Sequence, residues 1–300
     1  MAYTEIKERN GKKYYYRVKN IRKGKSFKKE RIYLGVDLDK EKLSLAETKA
    51  DKELKILSRL LEDKEILFLG EVKKKLEKEP KGNEENRYES FTSFFTYDSN
   101  AIEGNSLSLE ETSFLLFEKR VPSTKSLREI NETLNHKLAF DYMLSYKGDI
   151  TKEFILELHK LVVKNTLKEN LLPQIGKYRD LQVYIHGRDW LPPKPKEVPK
   201  EMKNLLSWYT LNKKKLHPLI VASYFHVAFE TIHPFVDGNG RVGRLLMNLI
   251  LHKNKYPMIN IPNKIKFRYY EALKTATLEG NLRPFIELML ELYKEAKINF

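Results

Sequence analysis

The stretch Ile232-His233-Pro234-Phe235-Val236-Asp237-Gly238-Asn239-Gly240-Arg241-Val242-Gly243-Arg244 sets the reading of the whole chain. Upstream of it, residues 221–232 form an apolar run with Phe225, Phe229 and Ile232 at helical spacing; downstream, Leu245, Leu246, Leu249 and Ile250 give a second helical stripe. The stretch is therefore a short loop between two largely buried helices, and its glycines open the second one. Free backbone N–H groups at a helix N-terminus form an anion site when no side chain stands in the way. Arg241 and Arg244 are three apart and share a face, so both are expected to reach phosphate oxygens. Asp237 offers a hard oxygen to Mg²⁺ held jointly with phosphates. His233 can accept a proton near neutral pH. Together these residues read as phosphate chemistry on a nucleotide, with a general base.

Two common motifs fail on context. Gly238-Asn239-Gly240-Arg241-Val242-Gly243 fits G-x-G-x-x-G, but a helix precedes it and no Asp or Glu occurs over 238–270. Its outer glycines also have P-loop spacing, but Arg244 stands where Lys is required and no Ser or Thr follows.

His233-Pro234-Phe235-x-Asp237-Gly238-Asn239-Gly240-Arg241-x-x-Arg244 resembles the complete Fic motif, H-x-F-x-[D/E]-G-N-G-R-x-x-R. The resemblance implies an enzyme that moves AMP from ATP to a protein hydroxyl. It also implies roles: His233 as the base, Asp237 holding Mg²⁺ against the phosphates, and Gly238, Asn239 and Gly240 binding phosphate oxygens. Arg241 would hold the β-phosphate, Arg244 the γ-phosphate, and Phe235 would anchor the loop in the core. Upstream, Ser99-Asn100-Ala101-Ile102-Glu103-Gly104-Asn105 fits [S/T]-x-x-x-E-[G/N], similar to the inhibitory helix of Fic proteins, over about 91–104. In the class whose inhibitory helix precedes the core, Glu103 would pair with Arg244 in a largely buried contact and occupy the guanidinium meant for the γ-phosphate. Val183-Tyr184-Ile185-His186-Gly187 looks like part of the Fic flap, a short β-hairpin that docks the target by strand pairing. Tyr269-Tyr270 is similar to the family position where tyrosine meets adenine. Thr277 stands where Asn is common, so UTP or GTP stays open beside ATP.

The remaining chain frames this core. Net charge is +15, and residues 1–35 hold twelve Lys/Arg against three Glu, a net +9. Residues 14–18 and 31–34 read as strands joined near Lys23-Gly24-Lys25, a basic hairpin with interleaved tyrosines that could bind nucleic acid. A small solvated appendage or a dimerisation element fits the same residues. The expected organisation is a basic β element at 1–38, a helical connector at 39–85 ending near Glu79-Pro80-Lys81-Gly82-Asn83, and a Fic domain at 86–300. The expected fold is mainly α, with the flap hairpin and the N-terminal β element as its only strands.

With no Cys, disulfides and thiolate metal sites are excluded. His136 and His159 read as packing histidines, and no H-E-x-x-H occurs. No apolar run reaches membrane-span length and the N-terminus lacks an apolar signal region, so a soluble cytoplasmic protein without a membrane partner is expected. The leading functional expectation is a self-inhibited protein adenylyltransferase acting on Ser, Thr or Tyr of a target, itself included. A deAMPylase using the same site and a nucleic-acid-binding regulator with a nucleotide-sensing core are the alternatives. A homodimer stays open, because an inhibitory helix can be coupled to a dimer interface.

Overall fold

The computed structural model describes residues 2–23, 26–57, 60–78, 80, 82, 84–185 and 190–296. An antiparallel three-stranded sheet comes first: β1 (Ala2–Arg9), β2 (Lys12–Lys23) and β3 (Ser26–Val36), in that order across the sheet. β2 and β3 contain the two expected strands, and β1 is additional to them. The signal was present in Asn10-Gly11, whose φ angles of 51° and 71° make the two-residue turn that a tight hairpin needs.

Eleven helices are described after the sheet: α1 (Lys40–Leu57), α2 (Asp63–Glu77), α3 (Glu84–Ile102), α4 (Leu109–Ser113), α5 (Leu127–Ser145), α6 (Lys152–Val162), α7 (Val198–Asn212), α8 (Pro218–Ile232), α9 (Asn239–Lys253), α10 (Lys266–Glu279) and α11 (Arg283–Glu295). The single connector helix expected over 39–78 is two helices. Glu62 restarts the chain with a capping box, its N–H bonded to the Glu65 carboxylate at 2.8 Å. The helix expected from 91 begins at Glu84. Ser108 caps α4 as its spacing implies, and the turn runs on as a π-helical segment, Phe114–Glu118, ending at Lys119 with φ 58°.

The core centres on α8 and α9. Nearly every residue of α8 and the first thirteen of α9 are buried or half-buried, so these helices are enclosed on all sides. Gly243 permits their close approach, since a Cβ there would lie 3.0 Å from Glu230 Oε1 and from His226 Nδ1. α3, α5, α6, α7, α10 and α11 surround the pair, and Leu60, Leu61, Leu69 and Val72 of the expected connector join the same core. Among the described residues no helix is long and apolar enough to cross a membrane.

Candidate active site

The loop between α8 and α9 holds its shape by internal bonds. α8 stops at His233, whose φ of 50° is left-handed, with its N–H on the Phe229 carbonyl at 2.9 Å. Asn239 closes the loop: its Oδ1 accepts from the Phe235 N–H and its Nδ2 donates to the Phe235 carbonyl, both at 2.9 Å. The side chain expected to bind phosphate is thus engaged as a staple, and the Asn239 contribution left for an anion is its backbone N–H at the first turn of α9. Phe235 is fully buried and stacks on His159, ring centroids 3.7 Å apart and 2° from parallel. His159 Nδ1 accepts from the Gly176 N–H at 3.1 Å, so its proton sits on Nε2 and points to the Asp237 carbonyl at 3.2 Å. Burial lowers its pKa to about 4 and keeps it neutral. It is a packing histidine, as its sequence context implies.

His233 lies at the mouth of the loop. Its Nδ1 is 3.3 Å from the Glu230 carbonyl, which can only accept, so Nδ1 carries a proton and α8 orients the ring.

The two arginines diverge. Arg241, 1% exposed, reaches Asp237 Oδ1 at 3.1 Å and lies 3.6 Å from Glu132, while its Nε and Nη1 have no hydrogen-bond partner among the described residues. Arg244 turns to α3. It donates to Ser99 Oγ at 3.0 Å, to the Ser99 carbonyl at 2.7 Å and to Glu103 Oε1 at 2.8 Å. Burial is the largest single influence on the Arg244 pKa and lowers it, but the charge and hydrogen bond of Glu103 together with Tyr269 and Glu230 outweigh it, and the net shift is upward. Glu103 also lies against the start of α9: a Cβ on Gly240 would come within 2.0 Å of its Oε1, so only glycine leaves room for it. The expected pair is only half buried. The Arg244 side chain is 2% exposed and that of Glu103 37%, because Gly104 (φ 99°) ends the helical turn at the site mouth.

Asp237 is partly exposed, with Arg241 on one oxygen and Arg128 Nη2 3.4 Å from the other. No three His, Asp or Glu among the described residues form a metal-binding group. One carboxylate beside a helix N-terminus suits a cation whose other ligands are phosphates and water, the usual surroundings of Mg²⁺. Tyr270 donates to the Ile102 carbonyl at 3.1 Å, and Thr277 shares a bond with Thr231 at 2.9 Å. In the flap region, 176–185 contain no strand, which corrects the hairpin expectation for Val183, Tyr184 and Ile185; a strand needs a paired edge, and none is offered there. His186 and Gly187 lie outside the described residues.

Arg179 was not singled out by the sequence. It is 2% exposed, and its Nε donates to the His233 carbonyl at 2.8 Å. Nη1 reaches the Leu181 carbonyl at 3.1 Å and Nη2 the Pro193 carbonyl at 2.6 Å. It ties both ends of the flap segment to the His233 loop. An arginine in a turn-rich segment carries no sequence signal for this.

Residues 149–251 match the Fic/DOC family. A Fic family protein of known structure from Desulfovibrio desulfuricans is 30% identical with a TM-score of 0.64, covering 79% of this chain and 74% of that one. This chain belongs to the Fic/DOC family. A Fic-domain signalling protein from Bacteroides thetaiotaomicron superposes with a TM-score of 0.69 at 27% identity, over 76% of this chain and 93% of that one. The Drosophila melanogaster protein adenylyltransferase Fic is 38% identical over 199 residues, which is 65% of this chain. The chain spans 39% of that relative's length. The family match, residues 149–251, takes in α6 through most of α9.

Proposed function

We propose that this Fic chain is a self-inhibited protein adenylyltransferase that transfers AMP from ATP to a hydroxyl of a target protein. The observation that carries the reading is the placement of His233, its ring oriented by the contact of Nδ1 with the Glu230 carbonyl and its loop leading directly into the N-terminus of α9. Nε2 takes the proton of the target hydroxyl as its oxygen attacks the α-phosphorus. The bond from that phosphorus to the β-phosphate oxygen breaks, pyrophosphate leaves, and the proton stays on His233. The α9 N–H groups and the Arg241 guanidinium, whose Nε and Nη1 make no hydrogen bond among the described residues, stabilise the charge that develops on the phosphates. Asp237 would hold Mg²⁺, which when bound supplies further charge neutralisation on the phosphate oxygens.

Glu103 gives the reading its regulation. While it holds Arg244, the guanidinium is not free for a γ-phosphate, and the carboxylate repels one. ATP bound in that state presents its α-phosphorus out of line, and alignment is worth several kcal/mol of barrier.

Label incorporation from α-labelled ATP tests this on the full chain, with candidate targets and with the chain alone. Glu103→Gly should raise incorporation at least about tenfold, given what alignment contributes. Adding Arg244→Ala to it should cancel the gain. His233→Ala should lower transfer by about 10²–10⁴-fold while ATP still binds. Equal incorporation by wild type and Glu103→Gly would remove the inhibitory role, and undiminished transfer by His233→Ala would remove the base.

A further inference from the structure

The N-terminal sheet uses one face to pack on α1. There Arg17 Nη1 lies 3.6 Å from Glu47, and the Thr4 hydroxyl bonds the same carboxylate. The other face carries Tyr14, Tyr16 and Tyr33, cross-strand neighbours with ring centroids 6.4 Å (14 to 33) and 5.4 Å (16 to 33) apart. This tyrosine face meets the helical core only in part: Val18 is fully buried on it, while the three tyrosines stay half exposed. Between it and α7 runs an open groove of about 830 Å³, lined by the three tyrosines with Lys203 of α7, Lys152 of α6 and Tyr178. Lys152 Nζ stands 5.7 Å from the centre of the Tyr178 ring, and Lys7 Nζ stands 5.7 Å from that of Tyr16. No Asp or Glu is among the lining residues. On the same sheet face Glu5 is neutralised by Arg31 at 2.7 Å and by Lys7 at 3.9 Å.

We propose that this groove binds single-stranded nucleic acid, with bases stacked on the tyrosines and phosphates on Lys152 and Lys203. Three half-buried aromatic rings on a sheet call for planar partners, and cations without carboxylates between them call for a polyanion. A single strand offers both at once; a duplex hides its ring faces inside the stack. A proline-rich peptide also docks on aromatic grooves, but it carries no repeating charge to match the lysines or the net +9 of residues 1–35. The groove is separate from the His233 site, so the proposal stands or falls independently of AMP transfer.

The test is fluorescence anisotropy with the full chain and a labelled oligonucleotide of about 12 nucleotides, the scale of one such platform. The same sequence as a duplex and a labelled proline-rich peptide are run beside it. The single strand should bind at least about fivefold tighter than the duplex, and its affinity should fall steeply with salt. Tyr16→Ala/Tyr33→Ala should weaken it about fivefold or more, while Tyr16→Phe/Tyr33→Phe keeps the stacking and restores it. Lys203→Ala, on the exposed side of α7, should reduce the slope of log affinity against log salt by about 0.7. The proposal is overturned by no binding, by equal binding of duplex and single strand, by binding of the peptide in preference to the oligonucleotide, or by an alanine pair that folds and binds as wild type.

Discussion

Arg179 is the residue on which the geometry of His233 depends. A guanidinium can serve several carbonyls at fixed angles, and here it bonds those of His233, Leu181 and Pro193 at 2.6–3.1 Å. Burial lowers its pKa, so these bonds are what keep a charge acceptable at that depth. Lysine in its place is a point donor and leaves carbonyls unmet. Each hydrogen bond to a charged group contributes about 1.5–3 kcal/mol. Arg179→Lys should therefore lower thermal stability and reduce AMP transfer by more than about tenfold, because a small displacement of the base is costly. Melting curves and label incorporation on the same preparation check this. A variant that melts and transfers like wild type would show that the loop holds His233 without Arg179.

α8 is the element that presents His233, and its other end is capped by a second histidine. His217 Nδ1 accepts from the Leu219 N–H at 3.2 Å, and Nε2 meets the Tyr256 hydroxyl at 2.9 Å. Burial first, and Lys73 second, lower its pKa from 6.5 to about 4. Between those values the unfolded chain binds more protons than the folded one. Stability from this group is therefore full above pH 6.5 and is lost as pH falls toward 4. From pH 7 to pH 5 the loss is about 2 kcal/mol. His217→Asn keeps a capping oxygen and removes the titration. Urea unfolding at the two pH values should show the wild type losing about 2 kcal/mol more than the variant. The same pH dependence in both proteins would assign the acid sensitivity to other groups.

For the whole molecule, α2 marks where the helical core begins. Its Leu69 and Val72, with Leu60 and Leu61 before it, share the core of α8 and α9. Arg283 of α11 bonds the Leu60 carbonyl at 2.7 Å and both Glu65 oxygens at 2.6 and 2.8 Å. The Arg283 hydrogen bonds hold the Glu65 pKa below its ordinary value. We propose that residues 60–78 fold as part of the helical core rather than as a separate connector. Burying an aliphatic side chain contributes about 1.5–3 kcal/mol, so losing four approaches the whole stability of a domain, about 5–15 kcal/mol. A chain of residues 60–300 should melt cooperatively near the full-length protein, and one of residues 86–300 should melt far lower or not fold. Equal melting of the two would return 60–85 to the status of a connector.

The sequence by itself determined the helix–loop–helix around His233, the glycine-opened start of α9, and the helix ending at Glu103-Gly104. Each follows from local chemistry: apolar periodicity, glycines where a side chain would collide, and a cap or a stop within one turn. Asn10-Gly11 was equally local and shows that β1 was legible. Only the tertiary structure decided the partners. Arg241 and Arg244 share a helix face in sequence, yet one turns to Asp237 and the other to α3, because Glu103 arrives from 141 residues away. Asn239 is a phosphate ligand by motif and a loop staple by contact, since Phe235 is buried and its backbone needs both bonds. Arg179 and the core role of α2 had no sequence signal, and the hairpin tyrosines, legible as a basic aromatic element, gave no sign of the groove they form against α7. Each depends on surfaces from distant segments meeting, and the spacing of residues along the chain does not encode that meeting.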